Sequence, residues 1–224
     1  MLKAIKEIKD KHKTDQANIP KILSDINKAI LGIKEEVDLF SKAIDVVELK
    51  YGKHDEAAGV STIFPFLNLS MLDILVLHKQ YLSTNDSIEK NFICRTAAQH
   101  MYEFLEDSSK ALGKQMNYLI GKLNDTEIDL ELKALRKSFN ELKAELHTSL
   151  KKLRHNVAGH KDRDIRNQLA ISNAINIVDF QKNFILFMLF FITLTQFKRH
   201  VIDEISKQQI ADKNTTTANS SSML

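Results

Sequence analysis

The chain has 224 residues, 43% of them hydrophobic and 27% charged, and a net charge of +3 from 32 basic and 29 acidic side chains. That length supports one sizeable core or at most two small ones, and so even a charge balance does not mark a nucleic-acid-coating protein. A single cysteine, Cys94, excludes an internal disulfide and a multi-cysteine zinc cage. With only 6 Gly and 2 Pro, and with Lys, Leu, Ile, Glu and Ala abundant, long helices are favoured over a many-stranded sheet.

Leu2, Ile5 and Ile8 recur every third residue and predict a short amphipathic helix over 1–12. Pro20 suits the first turn of the next helix. Ile22, Ile26, Ile30, Ile33, Val37, Phe40, Ile44 and Val47 then keep one face apolar for about 30 residues. Gly52, Gly59 and Pro65 predict an irregular loop over 51–65. An apolar helix over about 67–82 follows. Ser83, Thr84, Asn85 and Asp86 supply caps for a helix over about 87–112, which Gly113 ends or kinks.

Thr126-Glu127-Ile128-Asp129 resembles a capping box. The helix it starts carries its stripe from Ile128 through Leu132, Leu135, Phe139, Leu142, Leu146 and Leu150 to Leu153. Gly159 is placed to stop it, and Asp162-Arg163-Asp164 makes a turn and N-cap for a last helix over about 165–208. In that helix Phe184 to Ile192 is wholly apolar. Nine helical residues span only about 14 Å against a hydrocarbon core of about 30 Å, and Asp179, Lys182, Gln196, Lys198 and Arg199 flank them. The segment therefore predicts a buried central helix without membrane insertion, and Phe180, Phe184, Phe187 and Phe191 predict core packing. A membrane-associated bundle, held through Phe184 to Ile192, stands beside this as a distinct reading.

The expected architecture is all-α, an antiparallel bundle of four to five main helices. Residues 1–209 form one domain, with helices of 1–51 packed on a core over about 67–208. The Asn-, Thr- and Ser-rich stretch 210–224 is expected to be a disordered tail. Cys94, beside Phe92 and Ile93, is expected to be a small buried thiol. The charged start Met1-Leu2-Lys3-Ala4-Ile5-Lys6-Glu7 is unlike a signal peptide, and the expected location is cytoplasmic.

Chemistry concentrates in Leu153-Arg154-His155-Asn156-Val157-Ala158-Gly159-His160-Lys161-Asp162. An arginine grips phosphate with a planar fork, and a histidine moves protons near neutral pH. Arg154 followed by His155, Asn156 and, after five intervening residues, His160 resembles the Arg-x(4–6)-His signature of the HEPN superfamily. Ala158-Gly159-His160-Lys161-Asp162 also resembles the ending of several bacterial members, including abortive-infection types. The bare spacing is not specific, since Arg95 to His100 fits it too.

The resemblance implies metal-independent RNA cleavage, in which the ribose 2′-hydroxyl attacks the neighbouring phosphate and leaves a cyclic phosphate. It assigns His160 as base or acid and Arg154 as phosphate clamp, with Asn156 or His155 orienting. It also implies a homodimer that supplies a second histidine, in a defence or toxin–antitoxin setting with RNA, a protein partner or an antitoxin. Arg95 and Glu103, on one face with Gln99, are candidate supports for the pair; the alternative is ordinary i,i+4 pairing. On a regular helix Arg154 and His160 point about 120° apart, so convergence requires a break at Gly159, a long reach by Arg154 or a second protomer.

The competing reading is a non-catalytic interaction or scaffold module in which Arg154 and His160 simply finish a helix. No cofactor or metal is expected. His12, His54, His78 and His200 are scattered, and Lys151 lies between His147 and His155 on one face.

Overall fold

The computed structural model describes residues 18–51, 56–154 and 177–221. Five long helices dominate: α1 (Ile19–Tyr51), α2 (Glu56–Ser83), α3 (Ser87–Lys110), α5 (Thr126–Leu153) and α6 (Ile177–Ser221). A π-helical turn, Ala111–Gln115, and the short α4 (Met116–Leu123) lie between α3 and α5. No strand occurs among the described residues. The expected helix over 1–12, the stop at Gly159 and the cap at Asp162–Asp164 lie outside those residues.

α1 packs on α2, α2 on α3, α3 on α5 and α5 on α6, while α6 returns to touch α2 and α3. The pairing is antiparallel: Glu36 meets Asn68 and Phe40 meets Phe64 across α1 and α2. Lys143 meets Leu105 and Arg136 meets Leu112 across α5 and α3. This is the all-helical bundle that the apolar stripes predict.

The boundaries follow local chemistry. Asp86 caps α3, its carboxylate accepting from the Glu89 amide at 2.8 Å. α5 is capped by Asp125, one residue before the expected capping box; its carboxylate accepts from the amides of Glu127 and Ile128. Asn124 supplies the left-handed residue ahead of it, with φ of 51°, a conformation asparagine tolerates. Gly113, at φ −83° and ψ −117°, breaks the helical path and makes the π-turn. Arg136 covers the carbonyls freed there, donating to Leu112 at 2.6 Å and Gly113 at 2.9 Å.

Two expectations are corrected. The loop predicted over 51–65 is largely helix, because α2 starts at Glu56 and runs through Pro65. An interior proline costs about 3 kcal/mol. Burying Ile63 and Phe64, each 3% exposed, returns about 1.5–3 kcal/mol apiece and offsets that cost. The tail predicted from 210 is also helical, since α6 continues to Ser221. Extending an existing helix adds one hydrogen bond per residue without a new nucleus, so weak formers can be carried along.

The core centres on Phe104 of α3. Its ring meets Phe139, Phe187, Phe190 and Phe191 edge-on at 5.4–6.4 Å. The Phe180, Phe184, Phe187 and Phe191 series is buried, as expected. By length and composition, one span among the described residues, Phe180–Ile205, is apolar enough to cross a membrane. In the bundle its phenylalanines pack inward against α2, α3 and α5. Cys94 is wholly buried, and burial pushes its thiol up to about 12.

A polar cluster joining three helices interrupts this interior. Lys198 of α6 is 1% exposed and donates to Asn68 at 2.7 Å and to Glu36. The Asn68 amide in turn donates to the same Glu36 carboxylate at 3.1 Å. Burial depresses the Lys198 ammonium, and the Glu36 carboxylate opposes that shift.

Phe104→Ala is expected to lower unfolding free energy by about 3–5 kcal/mol in urea titration. Lys198→Met, which strands a half-buried carboxylate, should cost about 3 kcal/mol. In a Glu36→Gln background the same change should cost less, because the introduced amide and that of Asn68 can pair reciprocally. A double-mutant cycle reads the difference.

Candidate functional site

α5 ends where the candidate segment begins. Arg154 is the C-cap, its amide donating to the carbonyls of Leu150 and Lys151. Lys151 and Lys152 occupy the last turn, where cations oppose the negative end of the helix dipole. The Arg154 guanidinium lies over the ring of Tyr102 on α3, 5.1 Å from its centroid. Tyr102 is 9% exposed, so the platform is fixed by packing. Among the described residues no carboxylate pairs with Arg154.

The same ring has a second neighbour. His147, two turns before Arg154 on α5, sits 5.3 Å from the Tyr102 centroid. Its Nε2 is 3.1 Å from the Glu106 carboxylate, and the Lys143 ammonium is 2.7 Å from the same oxygen. Lys143 also donates to Ser109 Oγ at 3.0 Å and to the Leu105 carbonyl at 3.3 Å. The Lys143 hydrogen bond, aided by both positive charges, holds the Glu106 carboxyl below the usual carboxylate range. Glu106 therefore stays ionised near neutrality and orients the imidazole.

Helical geometry explains the grouping. Tyr102 and Glu106 are four apart on α3; Lys143, His147 and Arg154 are four and seven apart on α5. The antiparallel register turns these two spacings into one cluster. The spacing of Lys143, His147 and Arg154 was visible in the sequence, but what faces it across the groove was not.

Of the expected site residues, Arg154, Arg95 and Glu103 are described, whereas His155, Asn156 and His160 lie outside the described residues. The register that joins Lys143 to Leu105 carries Arg154 to the level of Arg95. The Arg95 guanidinium turns over Phe92, 5.9 Å from its centroid, and its buried Nε has no hydrogen-bond partner among the described residues. Glu103 accepts from Gln99 at 3.1 Å, the i,i+4 pairing of an ordinary helix face. Neither residue is brought to the Tyr102 ring.

Other titratable groups lie elsewhere. His78 stacks on Phe184 with centroids 4.5 Å apart, and burial lowers it to about 4. His200 pairs with Glu131 at 3.0 Å, and that hydrogen bond raises its pKa. No group of three His, Cys, Asp or Glu side chains suited to a metal occurs among the described residues.

Comparison with protein-family models, curated proteins and solved structures returned no match. The cluster has therefore to be read from its own chemistry. It offers one cation without a carboxylate partner among the described residues, one oriented imidazole and a fixed aromatic platform.

The Glu106 shift fixes a pH dependence. Its folded pKa is depressed, so its stabilisation is complete above the ordinary carboxylate range and fades as pH falls through the folded value. Glu106→Gln should lower Tm near pH 7, with the gap to wild type closing in acid. His200 behaves oppositely: its raised pKa stabilises below about 6.5 and the effect is lost as pH rises through the folded value. Glu131→Gln should lower Tm at pH 6, with the gap closing on the alkaline side. Thermal melts across pH 3–9 check both.

Proposed function

We propose that the protein is an HEPN-like, metal-independent RNA endonuclease of the cytoplasm, working as a homodimer in a defence or toxin–antitoxin role. The observation that carries this reading is the Arg154 guanidinium at the end of α5. It rests on an aromatic face, with no carboxylate partner among the described residues, and its forked donors suit a phosphate. Lys151 and Lys152 add positive charge in the last turn of the same helix, an electrostatic bias toward a polyanion.

The chemistry needs a base, an acid and a cation at the phosphate. His160 takes the proton from the ribose 2′-hydroxyl. O2′ forms a bond to phosphorus as the bond to the 5′-oxygen breaks, and Arg154 stabilises the charge that builds on the phosphoryl oxygens. The leaving 5′-oxygen takes its proton from a second imidazole, His160 of the other protomer in the homodimer. Asn156 and His155 orient the phosphate and the base. The products are a 2′,3′-cyclic phosphate and a 5′-hydroxyl.

A second reading, a non-catalytic module for a protein partner or antitoxin, draws on another observation. Ile88 and Phe92 lie one turn apart at the start of α3, 79% and 59% exposed. Apolar side chains so placed suit a partner surface more than bulk water.

Digestion of a mixed-sequence RNA with end-group analysis separates the two. The nuclease reading expects cyclic phosphate ends from wild type in the presence of EDTA. It also expects a loss of about 100-fold or more for His160→Ala and Arg154→Ala at unchanged Tm. Equal cleavage by His160→Ala, or none by wild type between pH 5 and 8, leaves the interaction-module reading.

A further inference from the structure

A cavity of about 360 Å³ opens between α1, α2 and α6, on a different face of the bundle from Arg154. Its walls are mainly apolar, with Met71 and Leu75 from α2 and Met188 and Phe191 from α6, though Thr195 and Gln196 of α6 also line it. Gly32 of α1 lines it, and a Cβ placed on Gly32 would meet nothing within 4 Å. At its inner edge stands the Glu36 carboxylate, already engaged by Lys198 and Asn68. At its mouth Lys28 and Arg199 are exposed to solvent. Asp25 is 3.9 Å from Lys28, but both side chains are more than half exposed, so screening leaves most of the cation's charge available.

We infer that this cavity binds a small amphipathic anion, a monocarboxylate on a short alkyl chain, with the chain among Met71, Leu75, Met188 and Phe191 and the carboxylate at Arg199 and Lys28. Three observations converge on that class. The walls are mainly hydrocarbon, with Thr195 and Gln196 of α6 and Glu36, whose charge Lys198 offsets, as their few polar groups, so the tail is hydrocarbon. Two thioethers adapt to flexible chains better than branched side chains do. At the mouth Lys28 and Arg199 outnumber Asp25, so the local charge is positive, which selects an anionic head and rejects a cationic one. The volume lies at the lower end of small-molecule sites and holds on the order of a dozen heavy atoms.

Decanoate is a suitable probe. The full-length protein, labelled with ¹³C at methionine methyls, is titrated with decanoate, decanol and decyltrimethylammonium. Decanoate should shift Met71 and Met188 while leaving the buried Met101 and Met116 in place, with a Kd on the order of 100 µM. Decanol should bind at least fivefold more weakly, and the ammonium should not compete. Gly32→Leu, which fills the cavity from a position with open space, should abolish the shifts without lowering Tm. Lys28→Glu with Arg199→Glu, both on the surface, should weaken decanoate at least tenfold and leave decanol unchanged.

Absence of Met71 and Met188 shifts up to about 2 mM decanoate overturns the site. So does wild-type binding by Gly32→Leu. Equal affinity for decanol and decanoate, or indifference to the double charge reversal, overturns the anionic class. None of these readouts depends on RNA cleavage.

Discussion

α6 imposes the main constraint on this fold. Its phenylalanines at 180, 184, 187, 190, 191 and 197 fall, at 100° per residue, within an arc of about 140°, one broad face of the helix. An apolar face that broad needs more than one helix to cover it. α2, α3 and α5 provide that cover, and Phe104 of α3 is the side chain that ties four aromatic rings together. Edge-on contacts at these distances add to the burial of the rings themselves.

Into that apolar centre the chain brings one ammonium. Lys198 lies one residue beyond the buried Phe197 and cannot reach water, so it requires partners from other helices. Glu36 and Asn68 supply them from α1 and α2, and the three-way contact fixes how α1 sits against the others. Such a pair contributes little net stability by itself, since desolvation offsets the attraction. Its consequence is positional: a shifted α1 would bury charge without a partner. The same contact neutralises the inner edge of the α1–α2–α6 cavity and leaves the mouth cationic.

The Tyr102 cluster works by a different physical principle. There the charges are half-exposed, the distances ordinary and the energy of each pair small. What matters is orientation. One Glu106 oxygen lies 2.7 Å from the Lys143 ammonium and 3.1 Å from His147 Nε2, which sets the side of the imidazole that faces α3, and the packed ring of Tyr102 gives Arg154 a surface that does not compete for its N–H donors. A guanidinium held over a ring and not by a carboxylate keeps N–H donors available for an anion.

The chain's apolar periodicity by itself determined that the protein is a helical bundle, which long helices it contains and which stripe each one buries. The stripe from Ile128 to Leu150 and the phenylalanines of α6 are local patterns, and a helix writes its buried face into spacings of three and four. Local signals also placed the break at Gly113 and narrowed the cap of α3 to a few residues that included Asp86. They failed at Pro65, because a breaker's cost is local whereas the burial that outweighs it is tertiary. They failed again beyond Ile210, where composition describes an isolated segment and not one extending a helix already formed. Only the tertiary structure decided that Arg154 rests on Tyr102, that Glu106 holds His147, and that Glu36 answers Lys198 across 162 positions of chain. Those pairings depend on register between helices, and register is set by how whole faces interlock, which no single stretch of sequence contains.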